Sequence, residues 1–300
     1  VDLDSLRLFV DLAETKSFSK TAERNFMSQS AVSQRVRSLE QEFGYVLVER
    51  GKGRPGAHFT EAGARLLAGA RDLLARADAL KREMAELSGD VSGTLRVATV
   101  YSIGLHALTP AVKAFLAEYP QVNLHLEYLR TNRIYDALLA GGIDCGIVAC
   151  PREQPQIEVV PLADERMVLI APPSHPLAGN GPVSLSALDG QPFVAFDHDI
   201  PTRTMTDEAL RERGVSVEVV QEFDNIETIK RVVEIGLGVA LVPEPTVRRE
   251  VRDGTLAVMP LSDATVTRPT GILLRKGRVR SNALSRFLDV LTSGAAATPT

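Results

Sequence analysis

Apolar residues recur at Leu6, Phe9, Val10, Leu12 and Ala13, the 3.6-residue spacing of a helix over 4–15 that buries one side. A short second helix follows from about Ser19, a residue type suited to an N-cap; the chain turns at 25–27, and Ser28 can cap a third helix. On that third helix Val32, Val36, Leu39 and Phe43 fall within one arc and predict the core stripe. Ser30, Gln34, Arg37 and Gln41 lie opposite. From Glu61 the rhythm becomes a heptad, with Leu66, Leu73, Leu80 and Leu87 at one seam position and Ala70, Ala77 and Met84 at the other. This predicts one long helix over 61–88 of coiled-coil type, or one that packs within its own chain. GDVSG at 89–93 reads as a hinge.

Beyond it the pattern switches to alternation. Strand-like runs GTLRVATV, VNLHLEYL, CGIVAC, RMVLIAP, PFVAF, SVEVVQEF and GVALVP are separated by helical patterns over 110–119, 134–140, 203–213 and 226–235, which predicts α/β structure with mostly parallel sheets. Ligands in such folds lie beyond the carboxyl ends of strands, near helix N-termini. Thr99 and Ser102 follow the first strand, Thr131 and Asn132 the second, Thr202 and Arg203 the run PFVAF, and Asn225 the run VVQEFD. Converging on a cleft, these hydroxyls and amides, with the helix dipoles, would bind a small anion; singly, each could serve as an N-cap.

Composition changes this picture in one place. Three hundred residues, 44% hydrophobic and 24% charged, suit a soluble protein with about two cores. The net charge of −4 gives no global attraction to nucleic acid or to an anionic membrane. Residues 24–54 depart from that balance: Arg24, Arg35, Arg37, Arg50, Lys52 and Arg54 face only Glu40, Glu42 and Glu49, and no acid stands between Asn25 and Leu39. A helix face of hydroxyl, amide and guanidinium groups can hydrogen-bond base edges and phosphates in a major groove, where an acid would be repelled. An ordinary solvated face is the bland alternative. Lys52 and Arg54 among glycines in LVERGKGRPGAHFTEAG add a basic hairpin that can approach the backbone closely.

Chemistry of other kinds finds little support. His58, His106, His125, His175 and His198 are scattered, with no metal-ligand spacing, so no metal or other cofactor is expected and no enzyme. GLGVAL leads into a strand and lacks a third glycine, so Gly236 reads as a helix stop and Gly238 as the start of a strand. Cys145 and Cys150, in one apolar run at odd spacing, point to opposite faces and read as small buried hydrophobes, a redox sensor being the lesser reading. With no secretion signal and no long apolar run, a cytoplasmic protein without a membrane partner is expected.

The stretch FVDLAETKSFSKTAERNFMSQSAVSQRVRSLEQEFGYVLVER, followed by HFTEAG, resembles the winged helix-turn-helix of the LysR-type transcriptional regulators. Thr21, Val48 and the wing's Pro55-Gly56 depart from the family pattern. The remainder is similar to the family's effector domain, most clearly in LRVATVYSIGLHALTPAVKAFLAEYPQVNLHL, LLAGGIDCGIV and IKRVVEIGLGVALVPE. The resemblance implies an α/β protein with an N-terminal all-helical winged helix-turn-helix at 1–60, a linker helix at 61–88, a hinge at 89–93 and an effector-binding domain at 94–300. That domain would have two Rossmann-like lobes of periplasmic-binding-protein type, one over 94–164 and 267–293, the other over 165–266. DNA would meet Ser28, Gln29, Ser30, Ser33, Gln34, Arg37, Arg50, Lys52 and Arg54. Leu66, Leu73, Leu80 and Leu87 would form a homodimer that assembles to a homotetramer. The remaining implied partners are a double-stranded operator, a small-molecule effector and RNA polymerase. A small-molecule-binding protein or enzyme on the same two-lobed body is the rival reading.

Overall fold

The computed structural model describes residues 1–50, 56–86, 91–179 and 181–295, so Lys52, Arg54, Leu87 and the first residues of the expected hinge lie outside the described residues. Two compact units result, one built from the elements up to the long helix, the other from those that follow.

In the first unit, helices α1 (Leu3–Thr15), α2 (Phe18–Arg24) and α3 (Gln29–Phe43) enclose a core of Phe9, Leu12, Val32, Val36 and Leu39. Each start is capped: Asp2, Ser17 and Ser28 accept from the backbone N–H three residues on. The cap of α2 is thus Ser17 and not Ser19, because the helix begins two residues earlier than the apolar pattern suggests. Phe43 departs from the predicted stripe. Gly44, at φ +72°, closes α3 directly after it, and Phe43 on this last turn is 40% exposed.

A two-stranded wing, β1 (Val48–Arg50) and β2 (Ala57–Phe59), precedes α4 (Glu61–Glu86). Thr60 makes that junction: its hydroxyl donates to the Val46 carbonyl at 2.7 Å and accepts from Gly63 N–H at 3.0 Å. A Cβ on Gly63 would stand 2.1 Å from the Leu47 carbonyl oxygen, so the glycine of TEAG lets the helix touch the backbone that leads into β1. Leu66 packs against the winged core, and Ala70 is fully buried. Leu73 and Leu80 are 54% and 58% exposed, with Met84 exposed beside them.

The second unit holds two lobes joined by two long strands. In the first lobe, β3 (Gly93–Thr99) pairs in parallel with β4 (Val122–Tyr128) and β5 (Cys145–Ala149). Helices α5 (Thr109–Glu118), α6 (Thr131–Leu139) and α9 (Asn282–Ala295) accompany this sheet, and Phe115 meets Phe287 edge-on at 5.0 Å. In the second lobe, β7 (Pro192–Phe196) and β8 (Glu218–Phe223) pair in parallel and lead into α7 (Pro201–Glu212) and α8 (Ile226–Glu234).

The connecting strands are β6 (Ile157–Ala171) and β11 (Thr267–Arg275), antiparallel over most of their length with an irregularity at Thr270/Gly271. β11 also pairs antiparallel with β5, and β6 with β9 (Ala240–Pro243) and β10 (Ala257–Met259). Mostly parallel sheets were expected. Among the named strands parallel pairing is instead confined to the βαβ units, because a strand that crosses between lobes runs against the strands of both.

Candidate nucleic-acid interface and ligand cleft

On α3 the core stripe fixes the opposite face. Ser30, Gln34, Arg37 and Gln41 are exposed there, and Ser33 is half-buried beside the core. Ser28 spends its oxygen on the cap, accepting from Ala31 N–H at 3.2 Å, and lies 2.9 Å from the Ser30 hydroxyl. Gln29 accepts from Ser19 across the turn at 3.4 Å. Arg50 belongs to the backbone pairing of β1 with β2.

Two charges in the expected basic region serve the fold. Arg24 pairs with Glu14 at 2.6 Å and approaches Asp11 at 3.5 Å, so it adds little to the local positive charge. Glu40 accepts from the N–H groups of Leu47 and Val48 at 2.9 and 3.2 Å, which pins the start of the wing to α3. The acid that ends the acid-free stretch is thereby a strut.

The second site lies between the lobes of the second unit, where the carboxyl ends of β3, β4, β7 and β8 converge, as expected for parallel units. The cavity measures about 60 Å³. Of the residues expected there, Ser102, Thr131, Asn132 and Thr202 line it. Thr99 does not: it is fully buried below, its hydroxyl turned to the Val100 carbonyl at 3.4 Å. Asn225 accepts from Glu227 N–H as the cap of α8. Arg203 is likewise corrected. Its guanidinium reaches Asp207 at 2.8 Å, Glu222 at 2.6 Å and the Phe196 carbonyl at 2.8 Å, so its charge is used in bracing α7 against the strands.

At the cavity floor stands Arg268, 1% exposed, directly opposite Glu165 in the β11–β6 register. Its Nε and one terminal nitrogen donate to Glu165 Oε2, and the other terminal nitrogen donates to Ser102 Oγ at 3.0 Å and Thr202 Oγ1 at 3.5 Å. One buried arginine thus ties a hydroxyl from each lobe to the crossing strands. Among the described residues Glu165 Oε1 has no hydrogen-bond partner. At the mouth, Arg130 reaches Asp197, Asp199 and Asp224. A further tie joins His106 Nε2 to Glu227 Oε1 at 2.8 Å. That bond, with help from Lys230, pushes the Glu227 carboxyl down to about 2 against its desolvation.

Sequence reading missed Arg130, Arg268 and Glu165. Arg130 adjoins Thr131 and was open to notice as a cation at a strand end. Arg268 and Glu165 show only as charges within strands, and nothing local pairs residues so far apart in the chain. The cysteines are free: Cys145 is buried, and burial pushes its thiol up; Cys150 leaves the strand at φ +47° and is half-buried. Among the described residues no group of His, Cys, Asp and Glu could hold a metal, and no helix is long and apolar enough to cross a membrane.

Residues 3–64 match the bacterial regulatory helix-turn-helix protein family of lysR type, and residues 88–296 match the LysR substrate binding domain. A probable RuBisCO transcriptional regulator of Chlorokybus atmophyticus is 30% identical over 97% of this chain and 95% of its own. The RuBisCO operon transcriptional regulator of Allochromatium vinosum is 29% identical over 99% and 97%. Full-length OxyR C199D from Pseudomonas aeruginosa superposes with a TM-score of 0.76 at 26% identity, over 99% of this chain and 95% of that one. A helix-turn-helix with an acid-free outer face and a two-lobed α/β body with a polar cleft, matched to both domain families along nearly the whole chain, make this protein a member of the LysR family of DNA-binding transcriptional regulators.

Proposed function

We propose that this regulator reads its operator through Ser30, Gln34 and Arg37 on the outer face of α3, with Ser28, Gln29 and Ser33 around the helix start and the wing's Arg50, Lys52 and Arg54 along the phosphates. The observation that carries the reading is the exposed, acid-free face of α3 opposite a fully buried stripe. Exposed Leu73, Leu80 and Met84 suit pairing of α4 with a second copy, and a homodimer or tetramer follows. We further propose a cytoplasmic protein without enzymatic activity, which contacts RNA polymerase once bound to DNA.

The effector occupies the cleft between the lobes and is a small anion. Ser102, Thr131 and Thr202 offer hydroxyls near helix starts there, and Asn132 an amide. The CcmR regulatory domain of Synechocystis PCC6803 was solved in complex with 2-PG, which makes 2-PG a sensible first compound for a ligand panel. Operators are obtained by selection from random duplexes and footprinted with and without each compound. A chain that selects no sequence, or binds heparin and duplex without salt dependence, overturns the reading.

A further inference from the structure

Every hydrogen bond of the Arg130 guanidinium crosses the cleft. Arg130 follows β4 in the first lobe, whereas Asp197 and Asp199 follow β7, and Asp224 follows β8, in the second. One terminal nitrogen meets Asp197 at 2.8 Å and Asp224 at 2.9 Å; the other meets Asp199 at 3.0 Å; Nε meets Asp224 at 3.2 Å. Three carboxylates from one lobe thus share a single cation from the other, and without it they would repel one another. All four side chains keep some access to water, so the contacts can be exchanged.

The cavity, about 60 Å³ and open at its mouth, falls well below the ~300–1,000 Å³ of ordinary small-molecule sites. An effector therefore requires the lobes to part, and the bonds that span the mouth must break first. Within the cavity the charge of Arg268 is already met by the buried Glu165. Among the described residues Arg130 is the other arginine lining the cavity, and its partners keep access to water.

We propose that Arg130 is a latch, closed on Asp197, Asp199 and Asp224 as in this structure, and that an anionic effector opens it by taking the guanidinium for itself. The proposal rests on the cleft's being the effector site. It makes Arg130 decide both affinity and ligand charge. The aspartates compete with the effector, so the free protein binds more weakly by the fraction of molecules that are unlatched.

The test uses the full chain. Spin labels at the exposed positions Arg133→Cys and Glu208→Cys, one in each lobe, report their separation on a Cys150→Ser background, Cys145 being fully buried. Arg130→Gln, and separately Asp197→Asn/Asp199→Asn/Asp224→Asn, should both populate a longer distance in the absence of ligand. Pyrophosphate, as a probe anion, should bind the triple asparagine variant about tenfold tighter than the parent, a gain that adding Arg130→Gln removes. Unchanged distances in both variants overturn the latch. Equal pyrophosphate binding with and without Arg130, or none to the triple variant, overturns the exchange. Operator binding is followed in every variant: a parent that binds no DNA counts against the regulator reading, whereas unchanged distances in a DNA-binding chain sink the latch alone.

Discussion

Arg268 shows how much one side chain can carry. A guanidinium and a carboxylate removed from water are held by their mutual attraction, two hydroxyls and the strand register, and the carboxylate's second oxygen has no partner among the described residues. Arg268→Met should therefore cost about 3–5 kcal/mol in urea unfolding, because it strands the Glu165 charge. Adding Glu165→Leu should return most of that loss, and a double variant no better than the single would show that the hydroxyl contacts, not the charge, matter. Glu227 makes the opposite case, a carboxyl part-open to solvent and depressed to about 2 by the His106 and Lys230 contacts. Its folded pKa lies below the ordinary 4.5, so its contribution is complete above about pH 4.5 and fades as pH falls toward 2. The gap in unfolding midpoint between the parent and Glu227→Gln should accordingly narrow between about pH 5 and pH 3; a constant gap would mean that the lost hydrogen bond is not charge-dependent.

At the scale of elements, α3 and α4 assign different work to residues of similar pattern. Gln34 and Arg37 are exposed and lie away from the packed stripe, so alanine at either should cost about 1–3 kcal/mol of specific binding and leave the thermal midpoint in place. Unchanged operator preference in footprints of both variants would remove α3 from the readout. Leu66 and Leu73 share one heptad position, yet Leu66 packs into the winged core and Leu73 stands exposed. Asp at Leu73 or Leu80 should abolish self-association, and sedimentation that still finds dimers at micromolar protein would place the seam elsewhere. These elements were legible because their signal is local: spacing, caps and the TEAG turn each involve neighbours in the chain. The antiparallel crossing of β6 and β11 was not, since a strand's alternation says which faces are buried and nothing about its partner. For the same reason Ser102 and Thr202 could be read from strand ends, whereas the arginine that joins them could not.

The whole molecule places sensing and reading in separate compact units, so a cleft mutation should alter the response and spare DNA recognition. Ser102 and Thr202 are suited to test this. They come from different lobes, line the same cavity and both accept from Arg268, the latter at the limit of hydrogen-bond length. An effector held by both hydroxyls gains contacts that an arrangement of the lobes offering only one of them cannot give, and a ligand shifts an equilibrium only by such a difference in affinity. Removing one hydrogen bond of this kind to a charged ligand should weaken effector binding by about 1.5–3 kcal/mol, roughly 10- to 150-fold, without a change in operator affinity in its absence. Titration of the operator complex with the strongest binder from the ligand panel is the measurement, with Ser102→Ala and Thr202→Ala run beside the parent. If both variants respond as the parent does, these hydroxyls serve only to seat Arg268, and the response must originate outside this cleft. If Ser102→Ala alone fails, the effector is held by the first lobe, and the position of the second relative to it is not what the regulator senses.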